Sequence, residues 1–406
     1  MNINGKLFYR GRIVEAGLEI DNGIIKKIGK EIKGRKVRGV ILPAAVDAHV
    51  HFRNFEEEHK ETIESGSLSA LHGGVSLVVD QPNTLPRVED EDIYSRRMEK
   101  AKRRSYVNYA LNLGLTKNNF SRVEDILNKI ETGYHIPAIG EVFTQNSDPN
   151  LQMGYQSLKE AKRHDKLITV HAEDPSLIEE GQGPNFNLRP PEAEITAVKE
   201  CIKSDKFHFC HISTVESMNL IRNSSSTFEV TPHHLLLSTH EWDRLGDLIN
   251  VNPPLRRPSN AKALLDNIEL ADIIASDHAP HTLEEKRDGA PGFPGVETMY
   301  PLLMSMVDKN ILGLNTLVDR IARRPAELFG LSGHGEIKEG NYANLAVFDL
   351  SEKKEIRGED LHTNSTWTPY EGREAVFPFK VYLRGEEALD GGETIVEPGF
   401  GMKDAN

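Results

Sequence analysis

Residues 40–53 read VILPAAVDAHVHFR, an apolar run followed directly by two histidines and an arginine. The run from 40 to 46 has the composition of a buried strand. Side chains two residues apart on an extended segment share one face, so His49 and His51 can hold one metal ion together and Arg53 can continue along the same side. An H-x-H pair is a weak signal by itself, because the chain contains sixteen histidines. The pair is therefore interpreted together with the strands and polar residues found in the rest of the sequence.

Strand-like runs recur along the sequence. Seven more follow the first, at residues 75–80, 105–113, 136–143, 167–171, 207–211, 227–232 and 271–276. Amphipathic, helix-like segments separate most of these runs. Near-continuous apolar strands that alternate with helices indicate a parallel sheet. Eight such units predict an α/β fold, a (β/α)8 barrel of the TIM type.

The two ends of the chain have a different pattern. Residues 5–38 contain short alternating strands around the hairpin signal DNG at 21–23, and residues 342–350 and 379–397 are again hairpin-like. We therefore predict a small composite β-sheet domain formed by both termini. Its segments would be residues 1–42 and 340–406, and the barrel would occupy residues 43–339.

Composition narrows the class of protein. The 406-residue chain has a formal net charge of −13, which argues against nucleic acid or an anionic membrane as the main partner. No stretch approaches the roughly 20 apolar residues of a membrane span, and the N-terminus lacks the apolar core of a signal peptide. Cys201 and Cys210 are the two cysteines. We expect a cytoplasmic protein without a disulfide framework.

Metal-binding residue types cluster where the predicted strands end. In a TIM-type barrel the functional site lies at the carboxyl ends of the strands. Four histidines and two carboxylates from five strands would meet there, which is a ligand set for one or two zinc-class ions. They are His49, His51, Glu141, His171, His211 and Asp277.

The chain resembles a known family, the cyclic amidohydrolases. The resemblance runs from about residue 40 to residue 350, and the order and spacing of its motifs are more specific than any one of them. The motifs are DAHVHFR (47–53), DQPNT (80–84), ITVHAED (168–174), FHFCHIST (207–214), VNPPLR (251–256) and SDHAPHT (276–282), extended by PGFPGVET (291–298) and TPYEGRE (368–374).

The resemblance implies two zinc ions, bridged by a hydroxide and often by a carbamylated lysine. Carried over by motif, His49 and His51 would hold one ion, and His171 and His211 the other. Asp277 would ligate the first ion and serve as the catalytic acid and base.

The chain departs from the family pattern at the bridging lysine. Glu141 stands at that position, and no lysine lies in the predicted fourth strand. We therefore expect Glu141 to bridge the ions together with the hydroxide. In the alternative, Glu141 caps a loop and Asp148 supplies the bridge.

Within the family, the motifs are most similar to members that interconvert N-carbamoyl-L-aspartate and L-dihydroorotate in de novo pyrimidine synthesis. The planar fork of Arg53 suits the carboxylate that remains on the ring. Arg53 could instead pair with the acidic residues 56–58, and the asparagines could be turn residues. The substrate-binding residues implied with Arg53 are Asn83, Asn252, His281 and the backbone around Pro291 and Gly292.

Other interpretations remain open at this stage. An allantoinase or a hydantoinase of the dihydropyrimidinase type would have the same fold and metals. A non-catalytic homologue that acts as a partner of another pyrimidine enzyme is a third interpretation, and the sequence is also compatible with a homodimer. The EEKRD segment at 284–288 is interpreted as a solvated loop beside His281. His208 and His278 are interpreted as structural residues or as residues that support the metal ligands, and at least one of His233 and His234 is interpreted as structural.

Overall fold

The computed structural model describes residues 1–181 and 183–403, so residues 404–406 of the predicted C-terminal segment lie outside it. The strands of the described chain are β1 (Asn2–Tyr9), β2 (Arg12–Asp21), β3 (Ile24–Gly29), β4 (Arg35–Pro43), β5 (Ala45–Val50), β6 (Val75–Asp80), β7 (Asn108–Leu111), β8 (Ile139–Phe143), β9 (Ile168–His171), β10 (His208–Phe209), β11 (Thr227–Val230), β12 (Ile273–Ile274), β13 (Leu345–Phe348), β14 (Lys354–Glu355), β15 (Glu374–Ala375), β16 (Pro378–Leu383), β17 (Glu386–Asp390) and β18 (Glu393–Thr394).

Helices fill most of the connections between the strands. The α-helices are α1 (Ile63–His72), α2 (Glu91–Arg104), α3 (Val123–Ile130), α4 (Tyr155–Ala161), α5 (Asn185–Leu188), α6 (Pro191–Ser204), α7 (Val215–Arg222), α8 (Pro232–Leu236), α9 (Trp242–Leu245), α10 (Pro258–Asp266), α11 (Leu283–Arg287), α12 (Val296–Asp308), α13 (Leu314–Val318) and α14 (Arg324–Leu328). A π-helical turn, Asp319–Arg323, joins α13 to α14.

Strands β5 to β12 form the predicted (β/α)8 barrel. They are parallel within two sheets, β5-β6-β7 and β12-β11-β10-β9-β8. Parallel bridges join Leu113 to Ile139 and Val50 to His278, and these bridges close the ring. Every residue of β5 and β6 is buried, as expected for parallel strands that are covered on both faces.

The first predicted strand is wrong in its bounds. Residues 40–43 belong to β4, in the sheet outside the barrel, and the first barrel strand begins at Ala45. His49 therefore lies inside β5 and His51 just beyond it. A single apolar run supplies two strands of different sheets, and only Ala44 separates them.

The segment EEKRD is not a solvated loop. Its first four residues lie in α11, and Thr282 caps that helix through a capping box with Glu285. Lys286 is fully buried, although its neighbours Glu284 and Arg287 are exposed.

Both termini contribute strands to an eight-stranded sheet, whose order is β18-β17-β16-β13-β4-β1-β2-β3. The DNG hairpin is confirmed, because Asn22 and Gly23 form a two-residue turn with φ of 48° and 76° between β2 and β3. Positive φ at both positions is what a type I′ turn requires. The division of the chain into domains near residues 42 and 340 remains our proposal.

The described parts of the chain contain no helix with the length and apolar character needed to span a bilayer. The main hydrophobic cluster runs through the barrel strands and their surrounding helices. A second cluster, built on Ile3, Leu7 and Leu345, lies in the eight-stranded sheet.

Candidate metal centre and substrate cleft

A cleft of about 370 Å³ opens at the carboxyl ends of the barrel strands. His49 is buried beside the rings of His51 and His211. The other predicted site residues all line the cleft: His51, Arg53, Asn83, Glu141, His171, His211, Asn252, Asp277, His281, Pro291 and Gly292.

The first group of candidate ligands consists of His49, His51 and Asp277. The Nε2 atoms of the two histidines are 3.2 Å apart, and Oδ1 of Asp277 lies 3.3 Å from His51 Nε2 and 3.6 Å from His49 Nε2. Zinc bonds of about 2.0–2.1 Å in a tetrahedral site place neighbouring ligand atoms roughly 3.4 Å apart. The three atoms therefore have the spacing of a zinc ligand set.

The second group is formed by His171 and His211 with Glu141. Oε1 of Glu141 lies 3.2 Å from His171 Nδ1 and 2.8 Å from His211 Nε2. The other oxygen, Oε2, lies 3.8 Å from His49 Nε2 and 3.9 Å from His51 Nε2. One carboxylate thus presents a different oxygen to each pair of histidines.

Asp148 does not take this place. Its carboxylate forms an ion pair with Arg87 and accepts a hydrogen bond from the Asn150 backbone. These contacts favour Glu141 over Asp148 as the proposed bridging carboxylate. Cys210 lies near His49 and Glu229, but burial raises the pKa of its thiol, which disfavours the thiolate that binds metal.

Two buried glutamates each contact one ring nitrogen of a candidate histidine ligand. Glu229 Oε1 lies 2.5 Å from His49 Nδ1, and Glu173 Oε2 lies 2.7 Å from His171 Nε2. Such pairs fix the ring and its tautomer in metal sites. Neither residue is among the site residues predicted from the sequence, although a charged residue within the apolar strand β11 and a glutamate two residues after His171 were available signals.

The buried groups of this cluster shift one another's pKa values. Burial alone would raise the pKa of Glu229, but the charge of His49 and hydrogen bonds from His208 and His49 hold it at about 2. Burial alone would lower the pKa of His171, but hydrogen bonds to Glu141 and Glu173 raise it to about 9. Without a cation at the centre, His171 would therefore hold a proton between the carboxylates of Glu141 and Glu173.

Arg53 is buried at the side of the cleft. Its Nη2 donates to His281 Nε2 over 3.2 Å, and its Nε has no hydrogen-bond partner. Two of the acidic residues after it are engaged elsewhere, since Glu57 pairs with Lys60 and Glu58 with Lys100, and no ion pair of the described chain joins Arg53 to residues 56–58. The interpretation of Arg53 as a partner of the acidic stretch is therefore wrong.

The side chain of Asn83 is oriented by a hydrogen bond with His51. Its Oδ1 lies 3.0 Å from His51 Nδ1. Because His51 Nε2 faces Asp277, Nδ1 is the nitrogen that carries the proton and donates to the amide oxygen. The amide nitrogen of Asn83 is then the group left to donate into the cleft.

Three site residues have strained backbone conformations. Arg53, His211 and Asp277 have φ of 40°, 34° and 46°. All three follow a barrel strand, where the chain turns sharply out of the barrel. Positive φ at such bulky residues is uncommon and clusters at functional sites.

A further group of potential ligands, His72, Glu297 and His362, lies outside the cleft. Its two imidazoles stack at 3.5 Å with planes inclined by 25°. Histidine lone pairs lie in the ring plane, so nearly parallel stacked rings do not aim at one ion. In the candidate metal centre, ring pairs are 4.7–5.3 Å apart and tilted by 38–73°. We assign no metal to this group.

Comparison with known proteins agrees with this geometry. Residues 40–377 match the model of the amidohydrolase family. The chain is 55% identical over 390 residues to a dihydroorotase of Archaeoglobus fulgidus, with 96% of each chain covered. It is 38% identical over 411 residues to a dihydroorotase of Pyrococcus furiosus, which covers 98% of this chain and 94% of the relative.

Solved structures give the same fold at lower identity. The L-hydantoinase (dihydropyrimidinase) of Arthrobacter aurescens superposes with a TM-score of 0.91 at 23% identity, and 98% of each chain is covered. The D-hydantoinase of a Thermus species superposes with a TM-score of 0.88 at 23% identity over 98% of this chain and 97% of the other. At this identity the likeness shows the barrel fold alone.

Proposed function

The chain belongs to the amidohydrolase family and, within it, to the dihydroorotases, and from that premise we propose which of its residues carry out the reaction. The reaction is the reversible cyclisation of N-carbamoyl-L-aspartate to L-dihydroorotate in de novo pyrimidine (UMP) synthesis. The observation that carries the proposal is the pair of ligand groups joined by Glu141, with a buried guanidinium beside them.

Two zinc ions fit the donor atoms of this centre. His49, His51 and Asp277 would hold one ion, His171 and His211 the other, and Glu141 would bridge them. The ligand spacing of 3.2–3.6 Å in the first group supports this assignment. Bound zinc supplies a Lewis acid for the scissile carbonyl and lowers the pKa of the attacking water.

Asp277 is the acid and base of the proposed mechanism. In ring opening, water adds to the ring carbonyl and Asp277 accepts the proton that water loses. Asp277 then passes that proton to the departing amide nitrogen. Burial alone would raise the pKa of Asp277, but its hydrogen bond with His51 and the charges of His49 and His211 keep it low, so the group is a carboxylate before it accepts the proton.

Arg53 is proposed to bind the carboxylate that L-dihydroorotate retains on its ring. Its guanidinium has an unused Nε donor inside the cleft, and no carboxylate among the described residues neutralises it. Burial and the charge of Arg53 lower the pKa of His281, so the ring stays neutral and accepts the Arg53 hydrogen bond. Asn83, Asn252 and the backbone at Pro291 and Gly292 would contact the ring amides and the carboxylate.

A comparison of three substrates tests the function. The purified protein, loaded with zinc, should hydrolyse L-dihydroorotate with a kcat/KM far above its values for hydantoin and allantoin. Hydantoin lacks the carboxylate that Arg53 would bind. Equal or faster turnover of hydantoin would favour a hydantoinase and count against the proposed role of Arg53.

Location and assembly are also proposals. A cytoplasmic location is supported by Cys201 and Cys210, which are both buried and unpaired. A homodimer, or an association with another enzyme of the pyrimidine pathway, stays a prediction. Sedimentation velocity of the purified chain, alone and with candidate enzymes, tests it.

A further inference from the structure

Lys286 is a fully buried lysine beside the substrate cleft. Its Nζ donates to the backbone oxygen of Asn250 over 2.5 Å and to that of Gly292 over 3.0 Å. The ammonium also lies 5.1 Å from the ring centre of Phe293 and 5.4 Å from that of Trp367. All of these partners are uncharged, so carbonyl dipoles and ring faces take the place of a counter-ion.

The charged groups around Lys286 leave it unpaired. Asp247 lies on the 3-10 turn Gly246–Ile249, which packs against α11, and Glu285 and Asp288 lie on or next to α11 itself. Burial lowers the pKa of His233 and of His281, and the positive charge of Lys286 adds to both shifts, so the two imidazoles near it are neutral. Burial lowers the pKa of Lys286 to about 7.

The two carbonyls belong to loops that line the cleft. Asn250 O also accepts a hydrogen bond from the Gly292 backbone N over 3.0 Å, so Lys286 binds where the loops meet. Asn250 Oδ1 accepts from the backbone N of Asn185, whose Nδ2 donates to Asn252 Oδ1 over 2.8 Å. A chain of contacts thus leads from the ammonium to Asn252 and Gly292, two of the proposed substrate contacts.

We propose that Lys286 is a positioning residue, whose protonated side chain clamps the loops at 250–252 and 291–293 in the geometry that binds the ring of the substrate. The inference rests on the proposed function and adds to it a residue that does not touch the substrate. An ammonium donates stronger, charge-assisted hydrogen bonds than a neutral amine. Loss of its proton would therefore loosen the clamp without removing a group from the reaction.

Lys286→Met tests the clamp, because methionine has a similar length and no donor. At pH 6 we expect KM for L-dihydroorotate to rise at least about tenfold, which corresponds to loss of charge-assisted hydrogen bonds, while kcat changes less than KM. The ratio of the variant KM to the wild-type KM should fall toward one between pH 6 and pH 9, as the wild-type lysine loses its proton. Arg287→Met, at the exposed neighbouring position, is the control and should match the wild type.

Lys286→Gln keeps two N–H donors but has no proton to lose, and it should behave like Lys286→Met with a smaller KM change. Wild-type KM at pH 6 in either folded variant, or a KM ratio that does not change with pH, would overturn the inference. Failure of both variants to fold, judged by circular dichroism and zinc content, would make Lys286 a structural residue and also overturn it. A wild-type protein that does not turn over L-dihydroorotate would instead count against the proposed function.

Discussion

Arg53 is a buried cation whose counter-charge is missing from the described chain. Burying a guanidinium without an anionic partner is unfavourable, and such sites persist where a ligand supplies the charge. Its one side-chain hydrogen bond goes to neutral His281, which accepts but does not neutralise. At this scale, the proposed contact with the substrate carboxylate would supply the missing counter-charge.

Arg53→Ala should therefore act mainly on substrate binding. A hydrogen-bonded charge pair contributes about 1.5–3 kcal/mol, so we expect kcat/KM for L-dihydroorotate to fall at least tenfold. Zinc content per chain should stay at the wild-type value, because the side-chain hydrogen bond of Arg53 goes to His281, which is not a proposed metal ligand. Arg38→Ala, at an exposed site in the eight-stranded sheet, is the matched control. A variant that loses zinc and unfolds would show that Arg53 has a structural role.

Asp277→Asn separates metal binding from proton transfer. Asparagine keeps the size of the side chain and an oxygen near His49 and His51, but it cannot accept and return a proton. We expect a folded protein with almost no turnover, measured as kcat at saturating L-dihydroorotate. Asp266→Asn, on the exposed face of α10, should leave kcat unchanged. Turnover within a few-fold of the wild type would mean that another group moves the proton.

At the scale of elements, the sequence predicts where the barrel strands end, but it does not predict which strands pair with one another. His171, His211 and Asp277 could be placed because parallel strands in a barrel all end at one face. The boundary between β4 and β5 could not, because the apolar run continues across Ala44 and its split depends on pairing with β13 and β6.

Buried charges inside the elements were equally hidden. Lys286 sits among charged residues that suggest a solvated segment, and its burial depends on the carbonyl of Asn250, 36 positions away. Glu229 and Glu173 become recognisable as orienting groups only when the rings of His49 and His171 are next to them. Sequence periodicity indicates which face of an element is buried. It does not indicate which polar group a buried charged residue will contact.

Helix α2 is tied to the site through Arg97. This fully buried residue forms an ion pair with Asp80 at the end of β6, and its Nη1 donates to the backbone oxygen of Arg53 over 2.7 Å. Asp80 also accepts a hydrogen bond from the Phe52 backbone N over 3.0 Å. The pair therefore joins a helix and a strand to the segment that carries Arg53.

Arg97→Met should destabilise the fold, because it leaves the Asp80 carboxylate buried without its partner. Breaking a buried pair in this way costs about 3–5 kcal/mol in the free energy of unfolding. Urea unfolding followed by circular dichroism measures it. Arg96→Met, at the exposed neighbouring position of the same helix, should change the free energy by less than about 1 kcal/mol. Equal effects of the two substitutions would contradict the role assigned to the buried pair.

At the scale of the whole molecule, the centre connects distant parts of the barrel. Its proposed ligands come from β5, β8 and β9 and from the segments after β5, β10 and β12. An ion that binds the native state and not the unfolded chain stabilises the native state by an amount that grows with its concentration. Zinc should therefore stabilise the whole barrel as well as activate it.

Removal of the metal should lower both activity and thermal stability. We expect a chelator to abolish turnover and to lower Tm, and added zinc to restore both. Free zinc at a thousand times its Kd corresponds to about 4 kcal/mol of stabilisation. Differential scanning calorimetry at several zinc concentrations measures the shift. Full activity in a protein verified to be free of metal would exclude the proposed centre.

The chain should assemble this centre without carbon dioxide. A carbamylated lysine forms from a neutral amine and carbon dioxide, so a centre that contains one depends on bicarbonate during reconstitution. Glu141 already carries a carboxylate, whose two oxygens face the two pairs of histidines. Zinc reconstitution of the metal-free protein should therefore reach the same metal content and turnover with and without bicarbonate.

Glu141→Gln is the variant that tests the carboxylate itself. Glutamine keeps the size of the side chain and removes the negative charge that would lie between the two proposed ions, so the variant should bind fewer zinc ions per chain and lose turnover. Metal analysis by mass spectrometry and L-dihydroorotate hydrolysis measure the two effects. Glu131→Gln, on the surface beside Lys166, is a control that keeps the same chemical change away from the centre. If Glu141→Gln keeps both its metal count and its turnover, the bridge between the ions must come from a group other than Glu141.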